Sequence, residues 1–300
     1  MKAILVSIYN KLFDYRLYLL DWYRRTFKKR PKIMTRDDTI DYIIKNKASV
    51  SRYGDGELKI IDGDRISFQN YDSELAGRLK EVLSSNYEGC LVCMTNIFGS
   101  LGHLTKKAQR YYKSILPKRR MQWYSYMDLE RLYGDANITR FFSGGQDYEL
   151  AKHIINRLKM IWDSRNLLIV EGEKSRMGVG NDLYSNASSI RRILCPATDA
   201  FDSYDEILAN VREYAQKDDL IIIALGPTAT VLAYDLSRLG FQALDLGHMD
   251  IEYEWYIRKD TEKKKIDNKY VGEAEGGAEV DDCSDPEYIN QIISNLAKGE

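Results

Sequence analysis

From about residue 165 the hydrophobic and polar positions fall into a regular alternation. "NLLIVEGE", "RRILCPA", "DLIIIALGP" and "FQALDLGH" each hold a short apolar run that ends in glycine, proline or acids. Between them, "DSYDEILANVREYAQ" and "TATVLAYDLSRLG" space their apolar residues three and four apart. Buried strands alternating with amphipathic helices predict βαβ units, whose crossovers are right-handed. The expected fold is therefore α/β: a Rossmann-like, mostly parallel sheet with helices on both faces.

The pattern is weaker upstream. "TRDDTIDYIIKN" reads as a helix with Thr35 as N-cap and acids in its first turn. "YDSELAGRLKEVLSS" and "LTKKAQRYYKSIL" also read as helices, whereas "GCLVCMTNI" and "RRMQWYSYM" read as strands. At the far end, "GEAEGGAEVDD" suggests a mobile loop before a short terminal helix, "PEYINQIISNL". The expected division is an N-terminal segment 1–31, a main domain 35–275 and a tail 276–300.

The N-terminal segment is apolar and aromatic, broken by single charges, and closes on Arg24, Arg25, Lys28, Lys29 and Arg30 before Pro31. It lacks the apolar core and cleavage site of a signal peptide, and no stretch approaches the roughly 18 apolar residues of a spanning helix. Leu12, Tyr15, Leu19 and Trp22 fall at helical spacing. Two readings stand. The segment is an amphipathic helix lying on an anionic membrane, peripheral at the inner face of the plasma membrane, or it packs on its own domain or a partner.

Composition narrows the function. Three hundred residues, 44% hydrophobic, are enough for one sizeable core with a small appendage. A formal net charge of -1 provides no overall field for nucleic acid, so ligand charge has to be met locally. Cys90, Cys93, Cys195 and Cys283 are scattered, which fits a reducing cytoplasm. Cys90 and Cys93 have metal-site spacing, but in a buried strand they point to opposite faces.

In open α/β sheets, ligands bind beyond the carboxyl ends of the strands. Four polar segments are candidates. In "SRYGDGE", a strand runs into a glycine-flanked turn beside Arg52. There Asp55 and Glu57, at i and i+2, point hard oxygens at one Mn²⁺ or Mg²⁺ ion. In "LGPTATVLAYDL", Gly226 permits a turn and Thr228 or Thr230 opens a helix whose N–H groups suit phosphate. In "VEGEKSRMGVGNDL", Glu173, Lys174 and Arg176 precede glycines that let backbone approach a ligand. In "DLGHMDIEYEW", His248, Asp250 and Glu252 share one face if the segment is extended, as metal ligands or a catalytic base. Each segment taken singly also has a plain reading, as a solvated turn, a self-capped helix start or a strand edge.

Taken together and in this order, these segments resemble the GT-D glycosyltransferases, a family first catalogued as a domain of unknown function in streptococci and related bacteria. The likeness rests on "SRYGDGE" with "ISFQNYDSELAGRLKEVL", on "VEGEKSRMGVGNDLYSNASSIRRILCPATDAF", and on "ALGPTATVLAYDLSRLGFQALDLGHMDIEYEWY". It covers about 35 to 275. It implies a metal-binding Asp-x-Glu motif, matched by Asp55 and Glu57, and a UDP-sugar donor, glucose first among hexoses. It also draws in "YGDANITRFFSGGQDYE", where Tyr133, Asn137 and Arg140 are placed near donor or acceptor. The acceptor is expected to be a hydroxyl of a glycan or glycoprotein. Two other functions compete: a metal-dependent nucleotide phosphohydrolase, and a non-catalytic membrane-associated partner in glycan assembly.

Overall fold

The computed structural model describes residues 2–142 and 147–297, with side chains from residue 15 onward. The helices are α1 (Lys2–Phe27), α2 (Arg36–Asn46), α3 (Asp55–Ile61), α4 (Ser73–Ser84), α5 (Lys106–Ser125), α6 (Tyr148–Trp162), α7 (Tyr204–Tyr214), α8 (Pro227–Arg238), α9 (Met249–Arg258) and α10 (Pro286–Gln291). The strands are β1 (Lys32–Ile33), β2 (Ser49–Tyr53), β3 (Cys90–Met94), β4 (Leu132–Asp135), β5 (Asn166–Gly172), β6 (Ser189–Cys195), β7 (Leu220–Ala224), β8 (Gln242–Asp245) and β9 (Ile292–Asn295). Two compact units emerge: Met1–Ile33 with Asn96–Tyr133, and Met34–Thr95 with Gly134–Glu300.

In the larger unit the strands run β4-β3-β2-β8-β7-β5-β6-β9, every pair parallel. The apolar runs are buried on both faces, as a helix-covered parallel sheet requires. Leu168, Val170, Ile221 and Ile223 pack with α7 and α8, whereas Leu167, Ile169, Leu220 and Ile222 pack with α2, α6 and α9. Thr35 caps α2 by accepting the Asp38 N–H at 3.1 Å. Cys90 and Cys93 are buried in β3 as core residues, and that burial pushes the Cys93 thiol well up.

In the smaller unit α1 packs on α5. Buried Arg120 of α5 donates to Asp21 of α1 at 2.5 Å and to the Phe98 carbonyl at 2.9 Å. Lys32 and Ile33 pair in parallel with Leu132 and Tyr133. Thr105 caps α5 through the Ala108 N–H.

Three local expectations change. "RRMQWYSYM" is not a strand. It continues α5 past Pro117, because Tyr112, Leu116, Arg120, Trp123 and Tyr124 form one buried helical stripe that outweighs aromatic β-preference. "PEYINQIISNL" is helical only in α10, after which β9 joins the sheet edge beside β6. "HMDIEYEW" is not extended but helical. Its apolar residues Met249, Ile251, Tyr253 and Trp255 alternate like a strand, yet the helix is enclosed on all sides and buries every one. The stripe residue Leu12 lies outside the described side chains, and Ser143 to Gln146 of the fourth family segment lie outside the described residues.

Candidate functional site

Strands β2 and β8 are neighbours, with Val50 opposite Leu244. The chain leaving β2 enters α3 and α4, on the side of α8, whereas the chain leaving β8 enters α9, on the side of α6. Adjacent strands feeding helices on opposite faces open a crevice between their carboxyl ends.

On the β2 side, Asp55 and Glu57 occupy the first turn of α3 rather than a flexible turn. Gly54, in extended conformation, is the N-cap, and Glu57 Oε2 accepts its N–H at 2.7 Å. Asp55 Oδ2 accepts from Lys59 Nζ at 2.8 Å, one helical turn on. The helix separates side chains at i and i+2 by about 200°, so the two acids do not converge as an extended turn would have them. Burial pushes the Glu57 carboxyl up to about 7; the Asp245 charge adds to this, and the Gly54 N–H and Arg52 oppose it.

The sign of that shift has a measurable consequence. Folding favours protonated Glu57, so its contribution to stability is full below the ordinary value of 4.5 and is lost as pH rises to about 7. Glu57→Gln still accepts the Gly54 N–H but cannot ionise. Urea unfolding in EDTA should show the variant gaining on wild type by on the order of 2 kcal/mol between pH 4.5 and 8. Parallel profiles would contradict the assignment.

On the β8 side, buried Asp245 closes the strand. Arg52, expected as a ligand cation, is instead spent inside the protein. Its Nε donates to the Asp245 carbonyl at 2.7 Å, Nη2 to Asp245 Oδ1 at 2.8 Å and to the Gly247 carbonyl at 2.9 Å, and Nη1 to Thr139 Oγ1 at 2.6 Å. It fixes the floor of the crevice. Asp245 was missed in the sequence, although an acid closing an apolar run at a carboxyl end is the signal that marks it.

His248 follows in the left-handed region, φ 72°, as the N-cap of α9. Its Nε2 lies 3.6 Å from Glu252 Oε1 and 3.8 Å from Glu273 Oε2 and has no hydrogen-bond partner among the described residues. Glu252 accepts the Phe142 N–H at 2.9 Å. Arg140 Nη2 donates to Glu273 Oε1 at 2.7 Å, and Lys263 also pairs with Glu273. Burial, reinforced by the charge of Arg140, lowers the His248 pKa against the pull of both acids. Burial alone would raise the Glu273 carboxyl, but His248, Arg140 and Lys263 together hold it well below the usual carboxylate range. Glu273 stands in the glycine-bearing tail, where nothing in the sequence singles it out.

Asp250 does not share the His248 face. It is buried and accepts from the Gly178 N–H at 2.8 Å, from Asn181 Nδ2 at 2.8 Å and from Lys269 Nζ at 2.6 Å. That knot holds the glycine loop in place. Arg176 is likewise turned inward, donating to the carbonyls of Asn268 at 2.8 Å and Asp281 at 2.6 Å. Glu173 and Lys174 remain half-buried beside it, their backbones bonded to Cys195 and Tyr270. Tyr133, in the smaller unit, is buried, with its hydroxyl accepting the Asp128 N–H. Asn137 is half-buried in the turn after β4, its Nδ2 without a partner among the described residues.

After β7, Gly226 adopts φ 54° and carries the chain into α8. A Cβ there would stand 2.6 Å from the Phe68 ring, so only glycine fits under it. The helix starts one residue earlier than expected. Pro227 has no N–H and the Ala229 N–H bonds to the Gly226 carbonyl, so the first turn presents fewer open donors than the sequence suggested. Thr230 Oγ1 donates to the Arg52 carbonyl at 3.0 Å, which ties α8 to β2. Thr228 is buried, its hydroxyl without a partner among the described residues.

Among the described residues, no group of three or more His, Cys, Asp and Glu is arranged to hold a metal. A hard dication needs no such cage, since Mg²⁺ and Mn²⁺ commonly bind through one or two carboxylates plus substrate phosphates. The donor set fits. Asp55 and Glu57 offer hard oxygens of the right kind; for both to reach one ion, Glu57 has to leave the Gly54 N–H and Asp55 has to leave Lys59.

Residues 50–274 match the family model described as the glycosyltransferase GT-D fold. The chain is 37% identical over 274 residues to a probable glycosyl transferase Gly of Streptococcus gordonii, covering 90% of this chain and 40% of that protein. It is 36% identical over 261 residues to glycosyltransferase GlyD of Streptococcus pneumoniae, covering 87% of this chain and 32% of that protein. The chain thus spans well under half the length of both. Among solved structures, it superposes with a TM-score of 0.86 on the conserved domain of unknown function 1792, described as having a distinct glycosyltransferase fold, at 37% identity over 93% of this chain and 99% of that one. With a new glycosyltransferase from Streptococcus sanguinis the TM-score is 0.84, at 36% identity over 89% of this chain and 100% of that one.

Proposed function

The chain belongs to the glycosyltransferases of the GT-D fold, and from that premise we propose that it moves a hexose, glucose first among candidates, from a UDP-sugar to a hydroxyl of a glycan or glycoprotein. The observation that carries this reading is the crevice between β2 and β8, with acids on one lip and a neutral-leaning histidine on the other. Asp55 and Glu57 would hold Mn²⁺ or Mg²⁺, which supplies positive charge against the diphosphate as UDP departs. Arg52 keeps Asp245 and the Gly247 backbone in place beneath the nucleotide. The start of α8 adds its dipole on the phosphate side, and half-buried Lys174, unlike Arg176, makes no side-chain bond among the described residues that would keep it from a ligand.

His248 takes the proton of the acceptor hydroxyl. Its depressed pKa keeps the imidazole neutral and able to accept, and Glu252 and Glu273 stabilise the imidazolium once formed. Asp250, locked to Lys269, is not placed for this role.

Calorimetric titration of UDP tests the reading. Affinity should rise at least about tenfold when Mn²⁺ is added, as a bridged diphosphate requires. Release of UDP from UDP-glucose should be slow until an acceptor is supplied. Metal-independent UDP binding would remove the cation from the proposal, and acceptor-independent release would favour a hydrolase.

A further inference from the structure

The proposed reaction makes no use of the smaller unit, whose chemistry is unlike that of the rest of the chain. Met1–Ile33 carries nine Lys and Arg against two acids, and Asn96–Tyr133 carries eight against two, a net of +13. The remaining residues carry 27 against 41, a net of -14. The near-neutral total therefore hides two strongly charged units of opposite sign.

Helix α1 turns Asp21 toward Arg120 of α5. At about 100° per residue, Tyr15, Leu19, Trp22, Tyr23 and Phe27 all point about 100° or more away from Asp21, and Tyr18 borders them. These six side chains are 48% to 64% exposed. Trp22 and Tyr23 both contact the Phe27 ring, at centroid distances of 5.9 and 5.3 Å, so the face is continuous. An exposed apolar surface of this kind marks a contact site.

We propose that the smaller unit seats the protein on an anionic lipid bilayer, with the aromatic face of α1 at headgroup depth and the Lys and Arg around it paired with lipid phosphates. Charge and amphipathicity select this occupant together. Amphipathic Tyr and Trp rings match the interface between headgroups and acyl chains, and long basic side chains reach from it to the phosphates. Each basic residue near such a surface strengthens binding about fivefold. A nucleic acid would satisfy the charge but leave the aromatic face unburied. No described helix is long and apolar enough to cross a membrane, so α1 lies along the surface.

Co-sedimentation of the full chain with vesicles tests this directly. With phosphatidylcholine containing about 30% phosphatidylglycerol, most of the protein should pellet at near-physiological salt; with phosphatidylcholine alone, little should. Combining Trp22→Ser, Tyr23→Ser and Phe27→Ser should weaken binding at least about tenfold. Combining Arg16→Glu with Lys28→Glu should do the same. The second variant changes only solvent-facing charges, so the test stands even if the first folds poorly. Equal binding to neutral and anionic vesicles, no binding to either, or binding unaffected by the folded variants would overturn the proposal. Duplex DNA displacing the vesicles at the same salt would also overturn it, in favour of a nucleic-acid surface.

Discussion

Asp55→Ala should lower sugar transfer by about a thousandfold while leaving the protein folded. The expected loss follows from removing one of two carboxylates that place positive charge against the departing diphosphate, an effect worth several kcal/mol. The fold should tolerate the change. The side chain is one-third exposed, and its ion pair with Lys59 is of the surface kind that contributes about 1 kcal/mol or less. UDP release in the presence of acceptor measures the rate, and thermal unfolding provides the control. UDP binding to the variant should also lose its dependence on Mn²⁺. A folded variant with wild-type turnover would disprove the role given to Asp55.

The second large effect is expected at His248. His248→Asn should reduce kcat by two to four orders of magnitude, the range for loss of a general base. Asparagine is the informative substitution because it tolerates the left-handed backbone that His248 adopts at φ 72°. The pH dependence separates a base from a merely structural residue. A base must be deprotonated, and burial with Arg140 sets its pKa below the ordinary histidine value of 6.5. Wild-type kcat should therefore hold as pH falls past 6.5 and decline only below it, and the variant should lack that limb. An unchanged acid limb in the variant would assign it to another group, with Glu57 the first to examine.

The motifs of this chain were unevenly legible for a physical reason. Strand and helix spacing between residues 165 and 246 was legible because a parallel sheet covered on both faces leaves continuous apolar runs, and the helices on it leave a period near 3.6. The same local logic failed at "HMDIEYEW". There enclosure on all sides buries both the strand-like and the helix-like set of positions, so alternation carries no information. It failed again in α5, where a proline in mid-helix looks like a boundary but the packed stripe continues through it.

Candidate acids and bases were legible as residue types, but their partners were not. Arg52 and Arg176 read as ligand cations, yet the fold spends the first on Asp245, Gly247 and Thr139 and the second on two backbone carbonyls. Asp250 and Glu252, two residues apart, end up on different sides of α9. Glu273 reaches His248 from 25 residues downstream. The chain by itself determined the parallel core of the sheet and placed Asp55 and Glu57 just after a strand, since these depend on periodicity and on which residues follow a strand. Which charges are satisfied internally and which remain for a ligand was decided only in three dimensions, because side-chain pairing depends on contacts that sequence spacing does not encode.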